Sequence, residues 1–226
     1  MIELCIIGFG VSGIAVARRA KQNNINFVAL EKNKDLGGSW YEKSYPGVRL
    51  QTHKKTYSFS DMNYKENVSN YPTGEEVLEY LKKYSIKNDL LKHVKFNCNV
   101  LLTKNINNIW HIKYKHGKEI KLLKSKFLCI CSGFYTKPKM PQFKDINNFK
   151  GEIKYIKDWG KTGKESIKSF KDKNVLVIGN GPSGLDMACL ASKHTDNNVT
   201  LLFRTDRWIY KRTDLSIDFI INKFSL

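Results

Sequence analysis

Ile2-Glu3-Leu4-Cys5-Ile6-Ile7-Gly8-Phe9-Gly10-Val11-Ser12-Gly13 is the stretch that decides the fold of this chain. Its first six residues are nearly all apolar, as a strand buried on both faces should be. A Gly-x-Gly-x-x-Gly turn follows and opens a helix, which Ile14, Ala15, Ala17, Arg18 and Ala20 continue to the Asn23-Asn24 turn. Asn26 to Leu30 returns as a second apolar strand ending at Glu31. Together these make a βαβ unit of about thirty residues, the length such a unit needs. The pattern recurs at Gly179-Asn180-Gly181-Pro182-Ser183-Gly184, with a strand from Asn174 to Ile178 before it, a helix from Ser183 to Lys193, and a strand from Val199 to Phe203. One such motif is weak evidence. Two in this setting point to a chain that holds two dinucleotides, one to be reduced and one to supply electrons.

The residue types suit that task. A pyrophosphate needs close backbone approach and free N–H donors. Gly8 allows the tight turn, Gly10 admits the phosphates, and Gly13 lets helix and strand pack closely. Val11 and Ser12 lie inside the loop, and a phosphate-side hydroxyl is the better reading of Ser12 and of Ser183 than a nucleophile. The helix N-terminus adds partial positive charge. Glu31, 18 residues after Gly13, ends the second strand, where a carboxylate accepts hydrogen bonds from ribose hydroxyls and repels a 2′-phosphate. The first site is therefore expected to hold FAD or NAD. Arg204 lies 20 residues after Gly184, directly after the strand ending at Phe203. A guanidinium there matches a 2′-phosphate, so Gly179, Gly181, Ser183, Gly184 and Arg204 predict NADPH.

Between the two motifs the chain changes character. Residues 32–72 carry Gly37, Gly38, Pro46 and Gly47 with little periodicity, and their aromatic content suits an ordered wrap around a ligand. Thr73 and Glu76 form a capping box ahead of Val77, Leu78, Leu81 and Tyr84 at helical spacing. Strands are expected at Val94 to Leu102, Ile109 to Tyr114 and Ile120 to Leu123, a small antiparallel layer, and a buried strand at Phe127 to Cys131. The fold class is α/β: a Rossmann-like FAD-binding domain at 1–150, a connection at 151–173, and the start of a second Rossmann-like NADPH-binding domain at 174–226, which reads as truncated.

Bulk properties narrow the remaining classes. The net charge of +18 raises nucleic-acid binding, but the lysines are spread along the chain with no arginine-rich helix or basic tail, so none is expected. The five Cys contain no Cys-x-x-Cys pair and read as buried reduced thiols, which excludes a dithiol reductase and fits a cytoplasmic protein. The five His are scattered, so no metal is expected. No stretch has the apolar length of a membrane span.

With these residues in place, nearly the whole chain resembles the flavin-containing monooxygenases, which carry both FAD and NADPH. Gly37-Gly38-Ser39-Trp40 resembles the segment after the ribose-binding acid, which implies that Ser39 and Trp40 meet the flavin. Leu50-Gln51-Thr52 and Phe59-Ser60-Asp61 resemble the next flavin-site stretch, Tyr71 to Leu81 the capped helix, Cys131-Ser132-Gly133 the exit from the FAD domain, and Gly179 to Asp186 the NADPH motif. Phe149, Gly151 and Trp159 match the signature between the domains, with Tyr155 in place of its His. The resemblance implies that NADPH reduces FAD, that the reduced flavin forms a C4a-hydroperoxide with O2, and that a nucleophilic nitrogen or sulfur of a small substrate takes one oxygen atom. Gln51 would hydrogen-bond the peroxide or the nicotinamide ribose, or be a structural amide. Gln51 and Phe59-Ser60-Asp61 resemble the plant-like N- and S-oxidising branch. Tyr45-Pro46-Gly47-Val48-Arg49 and Trp159 resemble the Baeyer–Villiger branch. A Baeyer–Villiger enzyme and a non-catalytic flavin-binding fragment remain the alternatives, and the oligomeric state is open.

Overall fold

A computed structural model describes residues 1–42, 44–134, 139–159 and 167–209. Two compact units are formed, one drawn from Met1–Lys43 and Leu78–Glu152, the other from Ser44–Val77 and Ile153–Leu226.

The first unit is built on β1 (Ile2–Ile7), α1 (Val11–Gln22) and β2 (Phe27–Leu30). β1 and β2 run parallel, with Leu4 opposite Phe27 and Ile7 opposite Leu30. They belong to a six-stranded sheet of order β3-β2-β1-β6-β5-β4. β3 (Val94–Lys95), β2, β1 and the second half of β6 (Glu119–Ile130) form its parallel part. The first half of β6 turns antiparallel onto β5 (Ile109–His116), which pairs with β4 (Cys98–Ile106). One sheet face buries Cys5, Val28, Leu30, Cys98, Ile112 and Tyr114. The α/β architecture with an antiparallel layer is the one the residue pattern implies.

Three expected strands come out differently. The run Val94 to Leu102 is broken, because Asn97 takes a left-handed conformation, φ +55°, which Asn tolerates better than most residues. The piece before the break joins β2 and the piece after it becomes the sheet edge. Conversely, the separate strands expected at Ile120 to Leu123 and Phe127 to Cys131 are one element, β6. Buried Ser125 carries the continuity: it lies opposite Trp110 on one side and Ile2 on the other, and its hydroxyl donates to the Phe127 carbonyl at 2.8 Å. Nor is the far half of β6 buried on both faces, since Phe127 and Ile130 stay 65% and 64% exposed.

Helix α3 (Gly74–Lys87) starts at the capping box read from the sequence: the Thr73 N–H donates to Glu76 Oε2 at 2.7 Å, and the Glu76 N–H donates to Thr73 Oγ1 at 3.2 Å.

The second unit holds β7 (Val175–Ile178), α4 (Pro182–Ser192) and β8 (Val199–Leu202), again parallel, with Val175 opposite Val199. Its core is Tyr45, Trp159, Phe170, Met187 and Ala191, with the Trp159 and Phe170 rings stacked 4.8 Å apart. Val175, Val177 and Val199 pack against that core, whereas Leu176, Ile178 and Leu202 are exposed.

Of the five thiols, Cys5 and Cys98 are buried as expected. Burial pushes the Cys5 thiol up to about 12. Cys189 is exposed, on the outward side of α4, and Cys129 and Cys131 are only half-buried on the open face of β6, their sulfurs 3.8 Å apart. Apolar neighbours in sequence therefore did not bury these three. Among the described residues no group of three His, Cys, Asp or Glu could hold a metal, and no helix is long and apolar enough to cross a membrane.

Candidate functional site

Each glycine motif folds into the same turn. Gly8 and Gly179 take φ +92° and +109°, a conformation that side chains resist. Gly8 N–H donates to the Leu30 carbonyl at 2.9 Å, and Gly179 N–H to the Leu202 carbonyl at 2.8 Å. A Cβ on Gly13 would collide with the Gly8 carbonyl oxygen, and one on Gly184 with that of Gly179. Gly10 and Gly181 are the N-caps of α1 and α4. Lacking side chains, they cannot cap the helix themselves, which leaves its first N–H groups for an anion.

Around the first turn the structure gathers Gly8, Gly10, Val11, Ser12, Gly13, Glu31, Ser39 and Trp40 within one unit. A Cβ on Gly8 would stand 2.5 Å from the Cys131 carbonyl oxygen, so the end of β6 walls one side. Gly37 N–H donates to the Phe9 carbonyl at 3.0 Å, and Gly10 faces Gly38, whose Cα would lie 3.4 Å from an added Cβ. The constraint is on Gly38, where a Cβ would stand 3.1 Å from the Gly10 Cα and where φ is +56°. Ser39 and Trp40 then open the short helix α2 (Ser39–Glu42).

Glu31 does more than the sequence suggested. It is 3% exposed. Its Oε2 accepts the Phe9 N–H at 2.7 Å, and its Oε1 accepts the Asn33 N–H and side-chain amide, both at 2.9 Å. A carboxylate offers about four acceptor positions. Three are used in fastening the turn and the chain after β2, which leaves about one for a ribose hydroxyl. Asn33 and Phe9 went unnoticed in the sequence because neither bears a cofactor-binding signature.

Gln51 and Thr52 belong to the second unit, where both are exposed. The same unit holds the second turn. Because Leu202 is the counterpart of Leu30, Phe203 is the counterpart of Glu31, and Arg204 stands one residue further on. Arg204 is exposed. The Asn180 side-chain amide donates to the Thr205 carbonyl at 2.8 Å, which ties the segment bearing Arg204 to the turn. Thus an amide fastens the second turn where a carboxylate fastens the first. Ser183 and Asp186 lie near the start of α4, and the Tyr45 hydroxyl donates to Asp186 Oδ2 at 2.9 Å. Ser183 Oγ is 3.3 Å from the same phenol oxygen.

A family model described as flavin-binding monooxygenase-like matches residues 2–218. The chain belongs to that family. It is 31% identical to human flavin-containing monooxygenase 1 in an alignment covering 93% of this chain and 41% of the relative. It is 28% identical to the 2-oxo-Δ(3)-4,5,5-trimethylcyclopentenylacetyl-CoA monooxygenase of Pseudomonas putida, over 92% of this chain and 39% of that one. Among solved structures, OTEMO in complex with FAD and NADP superposes with a TM-score of 0.79 at 27% identity, covering 92% of this chain and 39% of that chain. The chain thus spans about two fifths of the length of the relatives it matches.

Proposed function

We propose that this chain is the cofactor-binding part of an FAD- and NADPH-dependent monooxygenase that transfers one oxygen atom of O2 to a nucleophilic nitrogen or sulfur of a small substrate. The observation that carries the reading is the duplication of the glycine turn with opposite charges beside it: a buried carboxylate at Glu31 and an exposed guanidinium at Arg204. The close Gly10–Gly38 contact keeps side chains away from the first turn, which suits backbone approach to a pyrophosphate there.

On this reading FAD occupies 1–150 and NADPH the region 174–226, with 151–173 as the connection; residues 160–166 and 210–226 lie outside the described residues. Gly8, Gly10, Gly13 and the first N–H groups of α1, at Val11 and Ser12, hold the flavin nucleotide's phosphates, and Glu31 accepts one ribose hydroxyl. Ser39 and Trp40 contact the flavin side. Gly179, Gly181, Ser183 and Gly184 hold the phosphates of NADPH, and Arg204 pairs with its 2′-phosphate. The bound cofactors supply hydride transfer and oxygen activation. The protein supplies binding, orientation and exclusion of water, and Gln51 contributes an amide donor. The names of the relatives include both a flavin-containing monooxygenase and a ketone-bearing acyl-CoA monooxygenase. The Tyr45-Pro46-Gly47-Val48-Arg49 stretch keeps Baeyer–Villiger oxygen insertion as the second reading.

The decisive experiment is an anaerobic titration of purified protein. Bound flavin absorbs near about 450 nm, and NADPH bleaches that band while NADH does so poorly. Protein that neither retains nor takes up flavin overturns the proposal. Flavin that is bound but not bleached leaves a flavin-binding fragment. A sulfide and a cyclic ketone offered together then separate the two chemistries by product.

A further inference from the structure

The contact between Tyr45 and α4 joins two sequence motifs 141 residues apart, and neither turn nor charge explains it. Tyr45 is 7% exposed, and its ring packs with Met187 and Ala191 on the inner side of α4. The hydroxyl is thereby held at a fixed place beside the start of the helix. A phenol has one proton, and at 2.9 Å it goes to Asp186 Oδ2. Ser183 Oγ, 3.3 Å from the phenol oxygen, can donate to that oxygen or to a ligand. α4 begins at Pro182 with glycine as N-cap, so Asp186 sits in its second turn, on a helix whose N-terminal N–H groups have no side-chain cap and suit an anion. A mobile carboxylate there would repel the phosphates the turn is built to receive.

We propose that Tyr45 is a positioning residue for the second nucleotide site: its hydroxyl restrains the Asp186 carboxylate and leaves the Ser183 hydroxyl and the first N–H groups of α4 to the phosphates. The inference rests on the reading of that site as the NADPH site. It gives the Tyr45-Pro46-Gly47 stretch a task in nucleotide binding, independent of whether the chain belongs with nitrogen and sulfur oxidisers or with Baeyer–Villiger enzymes.

The test is binding, measured by calorimetry on flavin-loaded protein with NADPH and with adenosine 2′-monophosphate. Tyr45→Phe keeps the ring and its packing and removes only the hydroxyl. It is expected to weaken NADPH about tenfold, in the range of a hydrogen bond to a charged group, with flavin content and melting temperature nearly unchanged. Adenosine 2′-monophosphate, which carries no 5′-phosphate, is expected to bind nearly as before. Asp186→Asn in the Tyr45→Phe background is expected to restore most of the lost affinity, because it removes the charge that the phenol restrains. A merely structural contact gives the opposite result, with the double variant as weak as Tyr45→Phe or weaker. That outcome overturns the proposal, and so does a Tyr45→Phe protein that binds NADPH as the parent does. If the parent protein itself binds no NADPH, the reading of the site falls and the proposal falls with it.

Discussion

The two glycine turns share a backbone and differ in what surrounds them. Both place a left-handed glycine under the carbonyl of the neighbouring strand, and both cap a helix with glycine. The first is enclosed. The end of β6 presses on Gly8, the Gly37-Gly38 loop closes over Gly10, and Glu31 fastens the turn through a charge. Around Gly179 and Gly181, a Cβ would meet nothing within 4 Å among the described residues. The second turn is fastened by a neutral amide and carries its charge outside, at Arg204. One backbone solution thus recurs in two different surroundings.

Several substitutions break or sharpen this contrast. The largest effect is expected at the third glycines, where a Cβ meets backbone that cannot swing aside. Gly13→Ala should cost about 3 kcal/mol, the upper part of the overpacking range, and yield protein without flavin. Gly184→Ala should abolish NADPH binding while flavin is retained. Urea unfolding and absorbance check both, and loss of flavin in both variants would break the separation. Glu31→Ala removes the acceptor of three donors and should cost about 2–3 kcal/mol, read from the urea midpoint. Glu31→Gln should cost less, since it keeps acceptor capacity on one oxygen.

The first unit should also weaken in alkali. The Cys5 thiol is pushed up to about 12 by burial, above its value in the unfolded chain. The native state therefore holds this proton more tightly. The resulting stability is complete below about pH 9 and is lost as pH rises towards 12, by about 1.4 kcal/mol at pH 10. Cys5→Ala should make that limb shallower without removing it, because burial also raises Cys131, Cys98 and Tyr114. Arg204→Ala should weaken NADPH about tenfold and leave NADH unchanged, as seen in paired binding titrations; equal loss for both would remove its role in selectivity. The smallest effect is expected for Asn180→Ala, about 1 kcal/mol by thermal unfolding, because its one bond to the Thr205 carbonyl is exposed.

Periodicity and glycine spacing made β1, α1, β2, β7, α4 and β8 legible, since strand, turn and helix follow one another locally there. The capping box at Thr73 was legible for the same reason. What escaped was the long-range partnership. Lys124 and Lys126 interrupt an apolar pattern, so β6 read as two strands; continuity comes from pairing with β1 and β5, which no local window contains. Asn97 looked like part of a strand because a left-handed Asn leaves no mark on hydropathy. Phe127 and Ile130 are apolar yet exposed, and hydropathy does not distinguish the two conditions. At the site, the charges of Glu31 and Arg204 were visible, but the inward bonds of Glu31 and the Tyr45–Asp186 pair were not. Both depend on which segments meet, and the second spans most of the chain.

Ser125 has a consequence for how this molecule tolerates insertions. It is the point where β6 exchanges an antiparallel neighbour for a parallel one. An added residue in the Gly117 turn would be absorbed at the tip of the hairpin. One added just after Ser125 would invert the rest of the strand, swing Leu128 out of the interior and draw Cys129 in. The slip would reach the Cys131 carbonyl against Gly8, and a small edit well away from the glycine turn would displace the wall beside it.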